Sequence, residues 1–225
     1  MKKKSSSEIK NTLDEWVSGL GTGRYQPKNY VDDLDNSFSI TENFGIQQVQ
    51  SEIFRFIDVL LKQKKLKNCL EIGLGFYGST HFLWRLIFEK TTTIEHQRDR
   101  VSNFRDNMNK FYDKFVFGDL KSRFIFGLSH DTTSVEKLDK ILKGEKLDLL
   151  FIDGDHNYKS VLCDWLLYKD FVSKGGIIAF HDCVANDDGF GVPKLLKKIK
   201  SFDPNVKLHK IVDSKNFGIA YYYKK

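Results

Sequence analysis

Between Asn68 and Tyr222 the apolar period of this chain switches repeatedly between two values. Short apolar or β-branched runs at Asn68–Ile72, Thr91–Glu95, Arg123–Phe126, Leu147–Ile152 and Gly176–Phe180 read as strands. Segments with apolar residues at helical spacing lie between them: His81–Glu89, Arg98–Phe111, Thr133–Leu142 and Tyr158–Val172. Such alternation predicts a mainly parallel sheet covered on both faces, because a parallel connection needs a crossover that returns the chain to the same edge. A helix at Pro193–Ile199 is followed by strands at Val206–Val212 and Phe217–Tyr222. The short gap from Asp213 to Asn216 fits a hairpin, so the last strand should run antiparallel. The expected fold is α/β: a Rossmann-like, doubly wound, seven-stranded, mostly parallel sheet with an antiparallel last strand. A further helix is expected over Gln48–Lys62, where Val49, Ile53, Phe56, Ile57, Leu60 and Leu61 recur at helical spacing. Residues 46–225 therefore form the expected domain. Residues 1–45 are polar and glycine-rich and read as an N-terminal extension with one short helix near Leu13–Leu20, a candidate lid or dimer contact in a homo-oligomer.

Charge bears on partners. The 225 residues carry a formal net charge of +6, which raises the question of a nucleic-acid partner. Residues 190–225 hold nine lysines against Asp203 and Asp213, and residues 1–10 hold four lysines against Glu8. Taking those surpluses of seven and three from the whole leaves residues 11–189 at −4, so the excess belongs to the ends. Solvated lysine-rich ends account for it, and a nucleic-acid partner is not expected. No apolar run approaches the roughly 18 residues of a membrane span, so no membrane partner is expected. MKKKSSSEIK has no apolar segment behind it and does not read as a secretory signal. Cys69, Cys163 and Cys183 are too scattered for a disulfide framework, which points to a reducing, cytoplasmic compartment. Cys69 and Cys163 read as small core residues, and His81 and His209 as ordinary polar ones.

The first strand runs into Glu71-Ile-Gly73-Leu-Gly75-Phe-Tyr-Gly78-Ser79-Thr80. Glycines there let the backbone turn sharply and approach a ligand, and the helix that follows offers unpaired N–H groups. Gly73, Gly75 and Gly78 match G-x-G-x-x-G, and Glu95 ends the next strand 22 residues after Gly73, where a carboxylate can accept from ribose hydroxyls. By themselves these residues indicate an adenosine-type ligand, or a tight turn with a surface glutamate. Glu71, two residues before the first glycine, favours a ligand with a cationic amino group over a pyrophosphate, and about 70 residues precede a turn that commonly opens a dinucleotide domain. Both observations favour S-adenosylmethionine over NAD.

Two more strands end in chemistry. LDLLFIDGDHNY puts Asp153 just past one strand with His156 three residues on, and GGIIAFHDC puts His181 and Asp182 at the end of the next. The carboxyl edge of an open α/β sheet holds its ligand crevice, so the four can converge. Carboxylates on neighbouring strand ends repel unless a proton or cation lies between them, and oxygen-rich surroundings suit Mg²⁺. Such an ion binds a substrate hydroxyl and lowers its pKa, and His156 is the candidate to take the proton.

Taken in order, LEIGLGFYGST, TTIEHQ, FGLSHD, LLFIDGDHNYKSV and GGIIAFHDC make the region from about Ile46 to Tyr223 resemble a class I S-adenosylmethionine-dependent methyltransferase. It is most similar to the group of macrocin-type sugar O-methyltransferases and cephalosporin-hydroxylase-like proteins, and more distantly to catechol O-methyltransferase. The resemblance implies that Glu71, Gly73, Gly75 and Ser79 hold the methionine half of the cofactor. It implies that Glu95 binds the ribose with His96 beside the adenine, and that Ser129 and His130 contact the base. Asp153 is implied near the methionine end and as a metal ligand, His156 as the base, and Asp182 as a metal-ligating aspartate. His181 stands where the sugar enzymes tend to have an acid, which makes it a metal ligand or part of a proton relay. Cys183 stands where catechol O-methyltransferase has an asparagine ligand. The implied activity is O-methylation of a small molecule or a sugar. The competing readings are an NAD-dependent oxidoreductase, a nucleic-acid-associated protein and a non-catalytic adenosyl-binding scaffold. Phe76, Tyr77, Tyr158, Phe190 and the loop from Asn186 to Gly191 are candidates for the acceptor pocket.

Overall fold

The structure is a computed structural model that describes residues 4–28, 44–110, 121–184 and 191–225. Its strands are β1 (Asn68–Ile72), β2 (Lys90–Glu95), β3 (Lys121–Phe126), β4 (Leu147–Ile152), β5 (Val172–Phe180), β6 (His209–Ile211) and β7 (Ile219–Tyr223). They form one seven-stranded sheet in the order β3-β2-β1-β4-β5-β7-β6. The first five are parallel, and β7 runs antiparallel to both β5 and β6. The expected topology holds with shifted ends: the strand expected over 206–212 covers only His209–Ile211, whereas β5 is longer than expected and begins before its glycine pair.

Strand order reverses between β1 and β4. The chain builds outward to β3 on one side, then crosses back to start β4 on the other, and the crevice at that switch point is where such sheets bind ligands. Every residue of β1 and β4 is buried, as befits strands covered on both faces. Side-chain parity assigns the faces. Cys69, Leu149 and Phe151 pack with α1 (Ser6–Ser18), α2 (Gln50–Leu61), α3 (Ser79–Ile87) and α4 (Arg98–Lys110). Leu70, Ile72, Leu150 and Ile152 pack with α5 (Thr132–Leu142), α6 (Tyr158–Tyr168) and α7 (Val192–Phe202).

Helix α1 departs from the expected extension. It starts at Ser6 on a capping box, in which the Ser5 side chain accepts from the Glu8 amide and the Glu8 carboxylate accepts from the Ser5 amide. Ile9, Leu13, Trp16 and Val17 then form one stripe and are all buried in the core shared with α2, α3 and α4. Trp16 is 0% exposed and stacks on Phe82 of α3 at 4.1 Å between ring centroids. This helix is thus part of the domain core and does not flank it. Cys163 also departs from expectation: it is exposed, whereas Cys69 is buried as expected.

A buried carboxylate ties the far end of the sheet to α2. Glu52 accepts from the backbone N–H groups of Asp213 (2.6 Å), Ser214 (2.8 Å) and Gly218 (3.1 Å), and so shapes the β6–β7 connection that carries Phe217. Among the described residues no helix is long and apolar enough to cross a membrane.

Candidate active site

A cavity of about 600 Å³ opens at the carboxyl ends of β1, β2, β4 and β5. Gly73, Gly75, Ser79, Glu95, His96, Ser129, His130, Asp153, His156, His181 and Asp182, all singled out from sequence, line it. The glycine turn needs its glycine for a steric reason. Gly73 has φ +89°, and a Cβ there would lie 2.1 Å from the Asp153 carbonyl oxygen, so only glycine lets β1 and β4 end this close together.

One end of the cavity is built by Glu95. Its carboxylate accepts from the Leu74 amide (2.9 Å) and the Gln97 amide (2.9 Å), with His96 and Arg100 beside it. Two backbone donors, one to each oxygen, aim this carboxylate along the glycine turn, and the longer Arg100 contact to Oε2 at 3.4 Å is the weakest of its partners. Ser129 and His130 stand on the same side. The Ser129 carbonyl accepts from the Tyr168 hydroxyl at 2.5 Å, which ties this loop to α6.

The other end is a chain of ionisable groups. Gln48 Nε2 donates to Asp153 Oδ2 at 2.8 Å. Asp153 Oδ1 lies 3.1 Å from His181 Nδ1, which lies 3.2 Å from Asp182 Oδ1, and Asp182 Oδ2 lies 3.1 Å from His156 Nε2. Burial by itself would lower the His181 pKa, but Asp182 and Asp153 outweigh it and raise the imidazole well above its ordinary value. Burial would raise Asp182, but His181 and His156 outweigh it and hold the carboxyl below its ordinary value. Asp182 has φ +56°, a left-handed conformation that aspartate tolerates better than most residues and that turns its carboxylate back towards the histidines. His156 is the accessible member, its side chain 40% exposed. Asp153, His181 and Asp182 place one donor atom each within 4.8 Å of one another.

The loop that carries His156 is held locally. The Asn157 side chain caps α6 by accepting from the Ser160 amide, and Asp155 accepts from the Asn157 amide and the Ser160 hydroxyl. Gly191, at the start of α7, donates its N–H to the His156 carbonyl at 2.6 Å, and a Cβ at Gly191 would fall 2.1 Å from Tyr158 Cα. Tyr158 itself lies outside the cavity lining, under the Lys194 ammonium at 4.5 Å. Phe190 and the loop over 185–190 are outside the described residues.

Two expected ligand residues stand differently. Glu71 does not reach the cavity. It lies within β1, not past its end, and parity turns it into the helical layer beside Phe151. There it is 0% exposed and accepts from Trp84 Nε1 (2.9 Å) and Thr93 Oγ1 (2.7 Å). Ser79 lines the cavity, but its hydroxyl donates to the Gly45 carbonyl and accepts from Trp16 Nε1, so it serves the N-terminal segment. Conversely, Gln26, Phe44–Gln48, Arg100 and Phe217 line the cavity and have no signal in the sequence. Gln26 and 44–48 come from or abut the presumed extension, which therefore supplies one wall.

Glu71 makes stability depend on pH. Burial pushes its carboxyl up to about 8, against hydrogen bonds from Thr80, Thr93 and Trp84 that lower it. His81 Nδ1 contacts Thr93 Oγ1 at 2.7 Å, and burial holds its imidazole well below its ordinary pKa, so it stays neutral beside Glu71. Between an unfolded value near 4.5 and the folded value near 8, the folded chain keeps a proton that the unfolded chain has lost. Stability from this group is full below pH 4.5 and falls as pH rises through 8. Glu71→Gln removes that titration, so urea midpoints at pH 5.5 and 8.5 should differ less in the variant than in the wild type. Equal differences would mean that Glu71 ionises freely in the folded state.

A family model described as a methyltransferase domain matches residues 70–183, half of the chain and the part that carries this edge of the sheet. The chain belongs to that methyltransferase family. An uncharacterized protein of Acanthamoeba polyphaga mimivirus is 37% identical over 82 residues. That match spans 36% of either chain, so this methyltransferase shares about a third of its curated relative's length. The O-methyltransferase from Bacillus cereus in complex with SAH superposes with a TM-score of 0.57 at 16% identity, covering 100% of this chain and 93% of that one. The SAH-bound Podospora anserina methyltransferase superposes at 0.59 with 18% identity, covering 97% and 88%. MycE from the mycinamycin biosynthetic pathway, in complex with Mg, SAH and mycinamycin VI, superposes at 0.56 with 17% identity, covering 99% of this methyltransferase and 54% of MycE. At these identities the likeness is one of fold.

Proposed function

We infer that this methyltransferase uses S-adenosylmethionine to methylate a hydroxyl of a small molecule or a sugar. The observation that carries the reading is the polarity of the cavity: an aimed ribose-type carboxylate, Glu95, at one end and an accessible imidazole backed by a buried carboxylate, His156–Asp182, at the other. The cofactor fits the residues present. Glu95 would accept from the ribose, Ser129 and His130 would meet the base, Gly73 and Gly75 leave room along the turn, and Asp153 would offer negative charge to the cationic methionine end. When bound, the cofactor supplies an electrophilic methyl group on a positively charged sulfur.

The chain's own work is then to place and deprotonate the acceptor. Asp182 Oδ2 orients the His156 ring through Nε2 and places the basic lone pair on Nδ1, which takes the hydroxyl proton. Asp182 then stabilises the imidazolium that forms. His181, buried between two carboxylates, keeps both oriented. Asp153 and Asp182 also suit Mg²⁺ as hard oxygen ligands, and an ion there would polarise the acceptor hydroxyl. His181 Nδ1 suits a hard cation less, and it must give up both carboxylate contacts to ligate.

Calorimetry with SAH tests the reading. Binding in the micromolar range is expected, and no heat at high micromolar concentration would reject it, whereas NADH titrated into the same protein should give none. Run in EDTA and again in Mg²⁺ with an acceptor present, turnover should rise on adding the ion. Equal rates would remove Mg²⁺ from the reading. Radiolabelled methyl transfer onto sugar nucleotides, glycans and catechols identifies the acceptor class.

A further inference from the structure

The segment over 44–48 crosses the front of the glycine turn and is clamped along its length. The Gly45 carbonyl accepts from the Ser79 hydroxyl, whose oxygen accepts from Trp16 Nε1 at 2.9 Å. Gly45 passes so close to the end of α1 that a Cβ would lie 2.6 Å from the Val17 carbonyl oxygen. The Gln48 carbonyl accepts from the Gln26 amide at 3.1 Å. Gln48 itself is 1% exposed, yet its side chain turns to a carboxylate 105 residues away, Asp153, at 2.8 Å. A carboxylate only accepts, so the amide orientation is determined: the NH₂ group faces Asp153.

From this geometry we propose that Gln48 is a positioning residue that holds the Asp153 carboxylate at the methionine end of the cofactor site without cancelling its charge. A lysine or arginine would hold Asp153 as firmly but would neutralise it. A neutral amide donor fixes Oδ2 and adds no positive charge to the one His181 already places beside Oδ1, so the Asp153–His181–Asp182 cluster keeps its net negative charge for a cationic ligand group, here the ammonium of the cofactor's amino-acid end. The remaining oxygen, Oδ1, faces His181, so both oxygens are held and the carboxylate has one orientation. The hydrogen-bonded chain from the N-terminal segment to His156 therefore begins at Gln48. The proposal rests on the reading of the cavity as an S-adenosylmethionine site.

The test compares two ligands on the full chain. SAH carries the amino-acid end, and 5′-methylthioadenosine lacks it. Gln48→Leu keeps most of the volume and removes the donor, and Gln48→Ala removes both. Loss of a hydrogen bond to a charged group predicts that SAH affinity falls about ten-fold or more in both variants. Methylthioadenosine affinity should stay within about two-fold of wild type, which also reports that the variant is folded. Unchanged SAH affinity overturns the proposal. Parallel loss of both ligands also overturns it, since it assigns Gln48 a plain packing role. A wild-type protein that binds neither ligand overturns the cofactor reading itself.

Discussion

Replacing His156 with alanine is expected to lower methyl-transfer turnover by roughly two to four orders of magnitude, the usual range for removing a general base. SAH affinity should stay within about two-fold, because the end of the cavity proposed for the cofactor is lined by Glu95, Ser129, His130 and the glycine turn, apart from His156. The split follows from position. His156 sits on the loop after β4, its side chain 40% exposed, and its anchor is the buried Asp182 carboxylate at 3.1 Å. The loop's own shape comes from Asn157, Asp155 and Gly191, so the substitution should leave it in place. Asp182→Asn tests the same pair from the other side, since it keeps the shape but loses the charge that orients and stabilises the imidazolium. Its turnover should also fall, with a shifted pH profile. A His156→Ala enzyme that loses cofactor affinity and turnover equally would remove the residue from the proton-transfer role.

Trp16→Ala should cost about 3–5 kcal/mol of folding stability, the range for deleting a fully buried aromatic side chain. The side chain is 0% exposed, stacks on Phe82 and packs near Phe104. Its indole N–H also holds Ser79, so the variant leaves a cavity and a loosened clamp on Gly45. Trp16→Phe keeps most of the packing and removes the donor, and a loss of about 1 kcal/mol is expected. Urea denaturation reads both. A loss below about 1 kcal/mol for the alanine variant would place α1 outside the cooperative core, as a flanking arm. Reduced SAH affinity in Trp16→Ala is expected alongside, through the segment that Ser79 anchors.

The legible parts of this methyltransferase are those that repeat or lie adjacent in sequence. Strand–helix alternation specified the parallel sheet, and the short gap after Asp213 specified the antiparallel β7. Glu95, Asp153, His156, His181 and Asp182 were readable because Glu95 ends β2 and the others lie within four residues of the ends of β4 and β5, and all strand ends of a parallel sheet share one edge. Glu71 departs from the position expected of it: it stands beside the glycines but one residue inside the strand end, and the period of two turns it into the helical layer, outside the cavity lining. The signal was present in NCLEI, where Glu71 alternates with Leu70 and Ile72. Helix α1 was legible too, in the box of Ser5 and Glu8 followed by Ile9, Leu13, Trp16 and Val17, but polar composition and glycines around it obscured the stripe.

Periodicity and strand ends in the sequence by itself determined the layers, the edge on which chemistry collects and the residues at that edge, because backbone geometry converts spacing into direction. Only the tertiary structure decided which of those residues meet, and that the N-terminal segment completes the site. Gln48 reaches Asp153 across 105 residues, and Trp16 reaches Ser79 across 63. Such pairings have no local code. Burying α1 against α3 removes apolar surface from water and brings Trp16 to Ser79, whose hydroxyl in turn holds the Gly45 carbonyl.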